Sequence, residues 1–385
     1  MRNFKKLLCV VLVVLVAFSA ASCSLTKQYA YQKDDIELPI GVYIFYLYQA
    51  YSEAQNYAQQ TDAYDSATGR YNGKKSFLKV EITDSDDNTA VAEDWIKDKA
   101  KEYTRNAVAI SIEANKLGAT IDELGAKDMY STINPYSIYN SSTGQLDYSL
   151  DQSLADVAAN YEQFGIGFDS WLLCNASIAQ TENAVFDKEY GEGGPLAVST
   201  DEITKYFTEN YYSYTTFSAN LYTTEAGEDG STENVALDKD EVKRYEDAFK
   251  SYAEEVSGGK SVDDVVAEYN EAFGAEATAT PSVNKIDKDT TDELNKAILD
   301  LKEGEAAYKI IGDDENTRVI YLIYKAPIKD EIANYVDDET QRSTLLHEMK
   351  DEDFEQLIKD IIKENDIELS SACNGYQPSL FEKTK

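Results

Sequence analysis

The chain has 385 residues, with 71 acidic side chains against 36 basic ones and a formal net charge of −35. The length leads to an expectation of two folded domains, and 43% hydrophobic residues with only 6 prolines exclude wholesale disorder. So acidic a surface repels phosphate backbones and anionic lipid heads, which excludes nucleic acid as a partner and leaves membrane attachment to a dedicated device.

That device is expected at the N-terminus. Arg2, Lys5 and Lys6 precede an apolar run from Leu7 to Ala21, then Ser22 and Cys23. A basic start, an apolar run and a small-residue end make an export signal, too short for the about 20 residues of a spanning helix. The small residues before Cys23 resemble a bacterial lipobox, with Ala20 where leucine is usual. The resemblance implies that residues 1–22 are removed and that Cys23 is lipidated as the mature N-terminus, anchoring the protein to the bacterial cell membrane on its extracytoplasmic side. Plain secretion is the alternative. With Cys9 removed and Cys23 acylated, Cys174 and Cys373 remain. An extracytoplasmic location permits a disulfide between them, with two unpaired thiols as the default.

After a polar tether, a helix is expected over Ile36 to Gln60, with Pro39 in its first turn and Val42, Phe45, Tyr46, Leu47 and Tyr48 on a broad apolar surface. Tyr64 to Asn88 is rich in Gly, Ser and Asp and reads as a flexible insertion. A second helix runs from about Glu93 to Leu117 and stops at Gly118. Thr120 and Glu123 spell a capping box; helices follow over Leu150 to Phe164 and Asp169 to Phe186, and Ser199 with Glu202 caps one more.

The pattern changes at Tyr211. The aromatic and β-branched "YYSYTTFSANLYTTE" reads as a strand that breaks at "AGEDGSTEN". Helices are expected over Asp238 to Val256, over Ser261 to Phe273, and from Thr290 and Glu293 to Leu301. "EAAYKIIGDDENTRVIYLIYKAP" supplies two strands around an acidic turn, closed by Pro327. From Lys329 the chain is helical again, with Phe354, Leu357, Ile358, Ile361 and Ile362 on a face that needs a partner.

The stretches "IELPIGVYIFYLYQ", "SGGKSVDDVVAEYNEAFG" and "AILDLKEGEAAYKII", in this order, make the chain resemble the parvulin-type peptidyl-prolyl isomerases of the PrsA-like and SurA-like extracytoplasmic foldases. The resemblance implies an α+β fold. A helical chaperone-like domain would be formed by residues 23–210 and by the C-terminal helices of 329–385, around an inserted parvulin-like β-α-α-α-β-β domain at 211–328. It implies unfolded or nascent exported polypeptides as partners, a membrane contact through the lipid alone, and no cofactor. Phe217, Tyr308 and Tyr321 are its candidate peptide-binding residues.

The catalytic pattern departs from the family. Isomerising parvulins place a histidine on the first strand, another on the last, and a Cys or Asp between them. Here Ser218, Ala219 and Asn220 stand around the first position, and "TRVIYLIYK" has no histidine. Prolyl isomerisation needs no nucleophile, only a site that favours the twisted amide. The missing polar groups nevertheless lead to an expectation of low or no isomerase activity, with no catalytic residue assigned. An active isomerase and a surface ligand- or glycan-binding lipoprotein are the alternatives.

Other chemistry is weakly supported. His347 is the single histidine, and no Ser or Cys motif makes it a base. "SGGKS" at 257–261 lacks the first glycine of a phosphate loop and reads as a helix end followed by a cap. Asp84, Asp86 and Asn88 have the opening spacing of a calcium loop, but Thr89 replaces its glycine and Trp95 its bidentate glutamate. The 29 tyrosines suit tolerant grip on unfolded chains, although most lie on faces that must pack.

Overall fold

The computed structural model describes residues 28–73, 76–119, 139–140, 142, 145–146, 156, 159–167, 170–171, 173–226 and 231–383. The signal segment, Cys23, the Thr120–Glu123 capping box and most of the helix expected over 150–164 lie outside them. The fold is mixed α+β. Described residues up to 197 together with those from 351 form one unit, and residues 198–350 form the other.

In the first unit Tyr29–Lys33 (β1) and Ile36–Pro39 (β2) pair antiparallel, and Ile40–Gln59 (α1) follows. From sequence the helix is expected to start at Ile36. Instead the chain turns at Asp34, with φ 52°, and Leu38 pairs with Tyr31, both buried, so four residues join a strand and Pro39 only precedes the helix. The stretch expected as a flexible insertion also differs. It holds the short pairs Tyr64–Asp65 (β3) with Arg70–Tyr71 (β4) and Glu81–Thr83 (β5) with Thr89–Val91 (β6). Burial of Phe77, Leu78, Val80 and Ile82 offsets the entropy a free loop would keep.

Ala92–Leu117 (α2) ends at Gly118, whose φ of 62° is the left-handed conformation a side chain disfavours. Tyr139–Asn140 (β7) pairs with Gln145–Leu146 (β8), and a π-helical turn over Leu173–Ile178 leads into Ala179–Tyr190 (α3). The buried stripe of Ala50, Ala54 and Ala58 on α1 is small enough to bring α2 close, with Ile96, Ala100, Ala107 and Val108 buried on α2. A Cβ on Gly41 would lie 2.3 Å from Ser170 Oγ, so only glycine permits that approach.

The C-terminal residues complete this core. Phe381 meets Tyr48 and Phe164 at 5.1 Å and Tyr51 at 5.3 Å between ring centres. Phe354 meets Phe186 at 5.4 Å, and Ser370 N–H donates to Ala30 O at 2.8 Å. Burying such rings stabilises by roughly 1.5–3 kcal/mol each.

The second unit opens with Thr200–Asn210 (α4), capped by Ser199 and Glu202 in a reciprocal box. Tyr211–Asn220 (β9) follows. The chain breaks at Leu221, and Tyr222–Ala226 (β10) pairs with Thr232–Ala236 (β11) as a separate hairpin rather than extending the strand. Lys239–Ser257 (α5) is capped by Asp238 and Val262–Phe273 (α6) by Ser261. Thr280–Lys285 (β12) is a strand absent from the sequence expectation; Pro281 cannot donate to a ladder, and β12 accordingly lies at the sheet edge. Glu293–Asp300 (α7) is capped by Asp292, whereas Thr290, expected as the cap, accepts the Asp292 N–H. Ala306–Ile311 (β13), Val319–Ala326 (β14), the short Ile332–Tyr335 (α8) and Glu339–Glu364 (α9) complete the chain, with residues 339–350 of α9 in this unit.

The four long strands form one antiparallel sheet in the order β12-β9-β14-β13. Alternation along β14 sends Ile320 and Leu322 to one face and Tyr321 and Ile323 to the other. On the first face α5 and α6 bury Phe249, Val256, Val265 and Tyr269 against Phe217, Leu221 and Leu322. On the second, α7 packs Ile298 against Tyr214, Ile286 and Ile323.

Candidate peptide-binding surface

Phe217, Tyr308 and Tyr321 do not converge. Phe217 is 3% exposed, its ring 4.8 Å from Phe249 and 5.4 Å from Tyr269, so it serves the core. Tyr321 lies on the opposite sheet face, partly buried against the α7 cluster. Tyr308 faces Leu322 across the β13–β14 ladder, is 37% exposed, and is the one of the three that meets solvent freely. It lines a cleft of about 460 Å³ with Lys250, Ala253, Glu254 and Ser257 of α5 and Ala306 and Ala307 of β13. A second cleft, of about 350 Å³, lies by β12, where Thr215, Pro281 and Tyr324 meet residues 259–263.

On β9, Ala219 is buried in register with Ile320, while Ser218 and Asn220 are exposed on the other face. No acid–base pair is assembled from these residues.

Two polar clusters hold the sheet in place. Lys325 of β14 is 8% exposed. Its Nζ donates to the carbonyls of Leu301 at 2.7 Å and Ile298 at 3.0 Å, groups that the end of α7 leaves without helical partners, and lies 4.8 Å from the Tyr212 ring centre. Burial pulls its ammonium below the usual lysine range. At the start of β9, Glu348 of α9 accepts from Tyr211 and Tyr206 and pairs with Lys285. Burial pushes that carboxyl up, but the two hydroxyls and the ammonium outweigh it, and the net shift is downward.

The remaining sequence candidates resolve structurally. Cys174 and Cys373 are two separate buried thiols, not a disulfide; burial pushes Cys373 up to about 11 and raises Cys174 as well. The Asp84 carboxylate is occupied by the N–H groups of Asp86 and Asn88 and by the Trp95 indole at 2.9 Å, which makes a hairpin turn of the calcium-like spacing. In "SGGKS" the glycines end α5, Ser261 caps α6, and Lys260 pairs with Glu255 and Glu268. His347 is partly buried on α9. Among the described residues no group of three or more His, Cys, Asp or Glu could hold a metal ion, and no helix is long and apolar enough to cross a membrane.

Ser257 is the functional candidate that sequence reasoning missed. It closes α5 and looks like an ordinary helix end before Gly258, yet its Oγ accepts from the Ala306 N–H at 2.9 Å and lies 3.3 Å from the Ala306 carbonyl oxygen, on the rim of the Tyr308 cleft. No family model and no curated protein matches the chain.

Proposed function

We propose that this chain is an extracytoplasmic foldase-type protein that holds unfolded exported polypeptides, tethered to the membrane through a lipid on Cys23. The reading rests on one observation above the others: residues from both chain ends share one largely helical unit, with residues 198–350 as a unit of their own. The second unit supports it further. Its strands and helices run from β9 through α5 and α6 to the β13–β14 hairpin, as a parvulin-like insert would require, with β12 and the β10–β11 hairpin in addition. The absence of histidine from β9 and β14 favours binding over isomerisation.

The work asked of such a protein is weak, repeated contact with exposed apolar segments, without ATP or metal. The net charge of −35 favours basic clients and keeps a client complex soluble. Purified mature protein at stoichiometric ratio should lower light scattering from an aggregating, chemically unfolded model enzyme; unchanged scattering rejects the holdase reading. In an X-Pro tetrapeptide assay the same protein should give no rate increase. Mass spectrometry of the N-terminal peptide from the native host should find a diacylglyceryl group on Cys23, and an unmodified Cys23 rejects the tether.

A further inference from the structure

The backbone of β13 has a directional pattern. Lys325 N–H donates to Glu305 O at 3.0 Å across a register that sets Ala306 opposite Tyr324 and Tyr308 opposite Leu322. In an antiparallel ladder this makes Ala307, Lys309 and Ile311 the residues bonded to β14, and turns the N–H and C=O groups of Ala306, Tyr308 and Ile310 away from it. β13 is the last strand of the sheet, so those groups point outward from the edge. Ser257 engages both groups of Ala306, as a neighbouring strand would. The groups of Tyr308 and Ile310 continue the same row, about 7 Å apart.

Three further features coincide here. Tyr308 is one of four large apolar residues exposed among the described residues. Its cleft is floored by Ala253, Ala306 and Ala307, enough to seat an apolar side chain. Glu254 stands in the cleft, and Glu303, Glu305, Asp313 and Asp314 flank the strand, against Lys250, Lys309 and Lys302, the last paired with Glu305 at 3.6 Å, within a chain of net charge −35.

We propose that β13 is a strand-addition site, on which an extended, cationic segment of unfolded polypeptide pairs with the outward backbone groups of Tyr308 and Ile310 and places an apolar side chain in the α5 cleft. Backbone pairing is indifferent to sequence, while the cleft and the carboxylates favour alternating apolar residues flanked by lysine or arginine. The site rests on the holdase reading and specifies how the client is held.

The probe is a lysine-flanked peptide of alternating valine and threonine, applied to the purified mature chain and followed by fluorescence anisotropy and hydrogen–deuterium exchange. Saturation should slow exchange across 306–311 and leave 280–285 unchanged. Methylating the peptide's alternate backbone nitrogens should weaken binding about tenfold. Tyr308→Pro removes an outward N–H and no bond to β14, and should weaken binding roughly tenfold, with Tyr308→Ala, which keeps the N–H, weakening it less. A folded Tyr308→Pro protein, checked by circular dichroism, that binds as tightly as the parent overturns the proposal. So does protection elsewhere but not at 306–311, or concentration-dependent dimerisation through 306–311 in the absence of peptide. If the peptide fails to bind while scattering from the unfolded enzyme is still suppressed, strand addition falls and the holdase reading stands; if both fail, both fall.

Discussion

Glu348 accepts the hydroxyl hydrogen of Tyr211 at 2.6 Å through one carboxylate oxygen and that of Tyr206 at 2.9 Å through the other. Lys285 adds its ammonium at 3.1 Å, so the first residue of β9 and the last of β12 are tied to α9. The Glu348 carboxyl titrates below its ordinary value, so the stability it contributes is present above the unfolded carboxylate range and lost as pH falls through the folded value. The side chain is 31% exposed, which limits the effect. Glu348→Gln should cost about 1 kcal/mol at pH 7, with the cost shrinking as pH falls toward 2–3. Denaturant melts of both proteins across that range measure it.

Glu189, 2% exposed beside the equally buried Glu113, has the opposite sign. Burial, then the neighbouring Glu113 carboxyl, holds Glu189 above the usual carboxylate range, against the opposing pull of Lys116, itself 2.6 Å from Glu113. A raised carboxyl favours the fold below its unfolded value and loses that contribution as pH rises through the folded one. Glu189→Gln should therefore stabilise the protein at pH 7–8 by on the order of 1 kcal/mol, with the gain shrinking toward pH 4. Melting temperatures at pH 4, 6 and 8 check the trend.

The close approach of α1 to Ser170 gives a steric test. Gly41→Ala would set a methyl 2.3 Å from Ser170 Oγ, and should cost about 1–3 kcal/mol. Ser170→Gly in the same chain should restore most of the loss, as a urea denaturation series on the two single variants and the double variant would measure.

Lys325→Met keeps an apolar stem on the sheet and removes the donor that satisfies the end of α7. The carbonyls of Ile298 and Leu301 lose a charged partner, so stability should fall by about 1–3 kcal/mol. Hydrogen exchange should quicken most over 293–301, and a uniform change across the second unit would contradict the capping role.

How much of this was legible in the sequence follows local chemistry. Gly118 ends α2, the Ser199–Glu202 box opens α4, and Asp238 and Ser261 begin α5 and α6, because a cap needs only the residues within a turn of it. β12 was hidden by Pro281 and by the polar Ser282, Asn284 and Lys285 around its one large apolar residue, Val283, since an edge strand is specified by its partner β9. The insertion around Phe77 was hidden because its glycines and aspartates turn short hairpins around a few buried apolar residues. Among the site candidates, composition could not separate Phe217 in the core from Tyr308 on the edge. Both face α5, so the distinction depends on strand order, with β9 inside the sheet and β13 at its edge, and Ser257 gains its role only when β13 comes beside it.

Equilibrium binding of the purified mature chain to reduced, carbamidomethylated lysozyme, compared with native lysozyme, tests the central claim most directly. The unfolded form keeps its positive charge and exposes its apolar segments, so saturable binding to it alone is predicted, surviving moderate salt because apolar and backbone contacts persist when charges are screened. Equal binding to both forms, or none to the unfolded one, would contradict it.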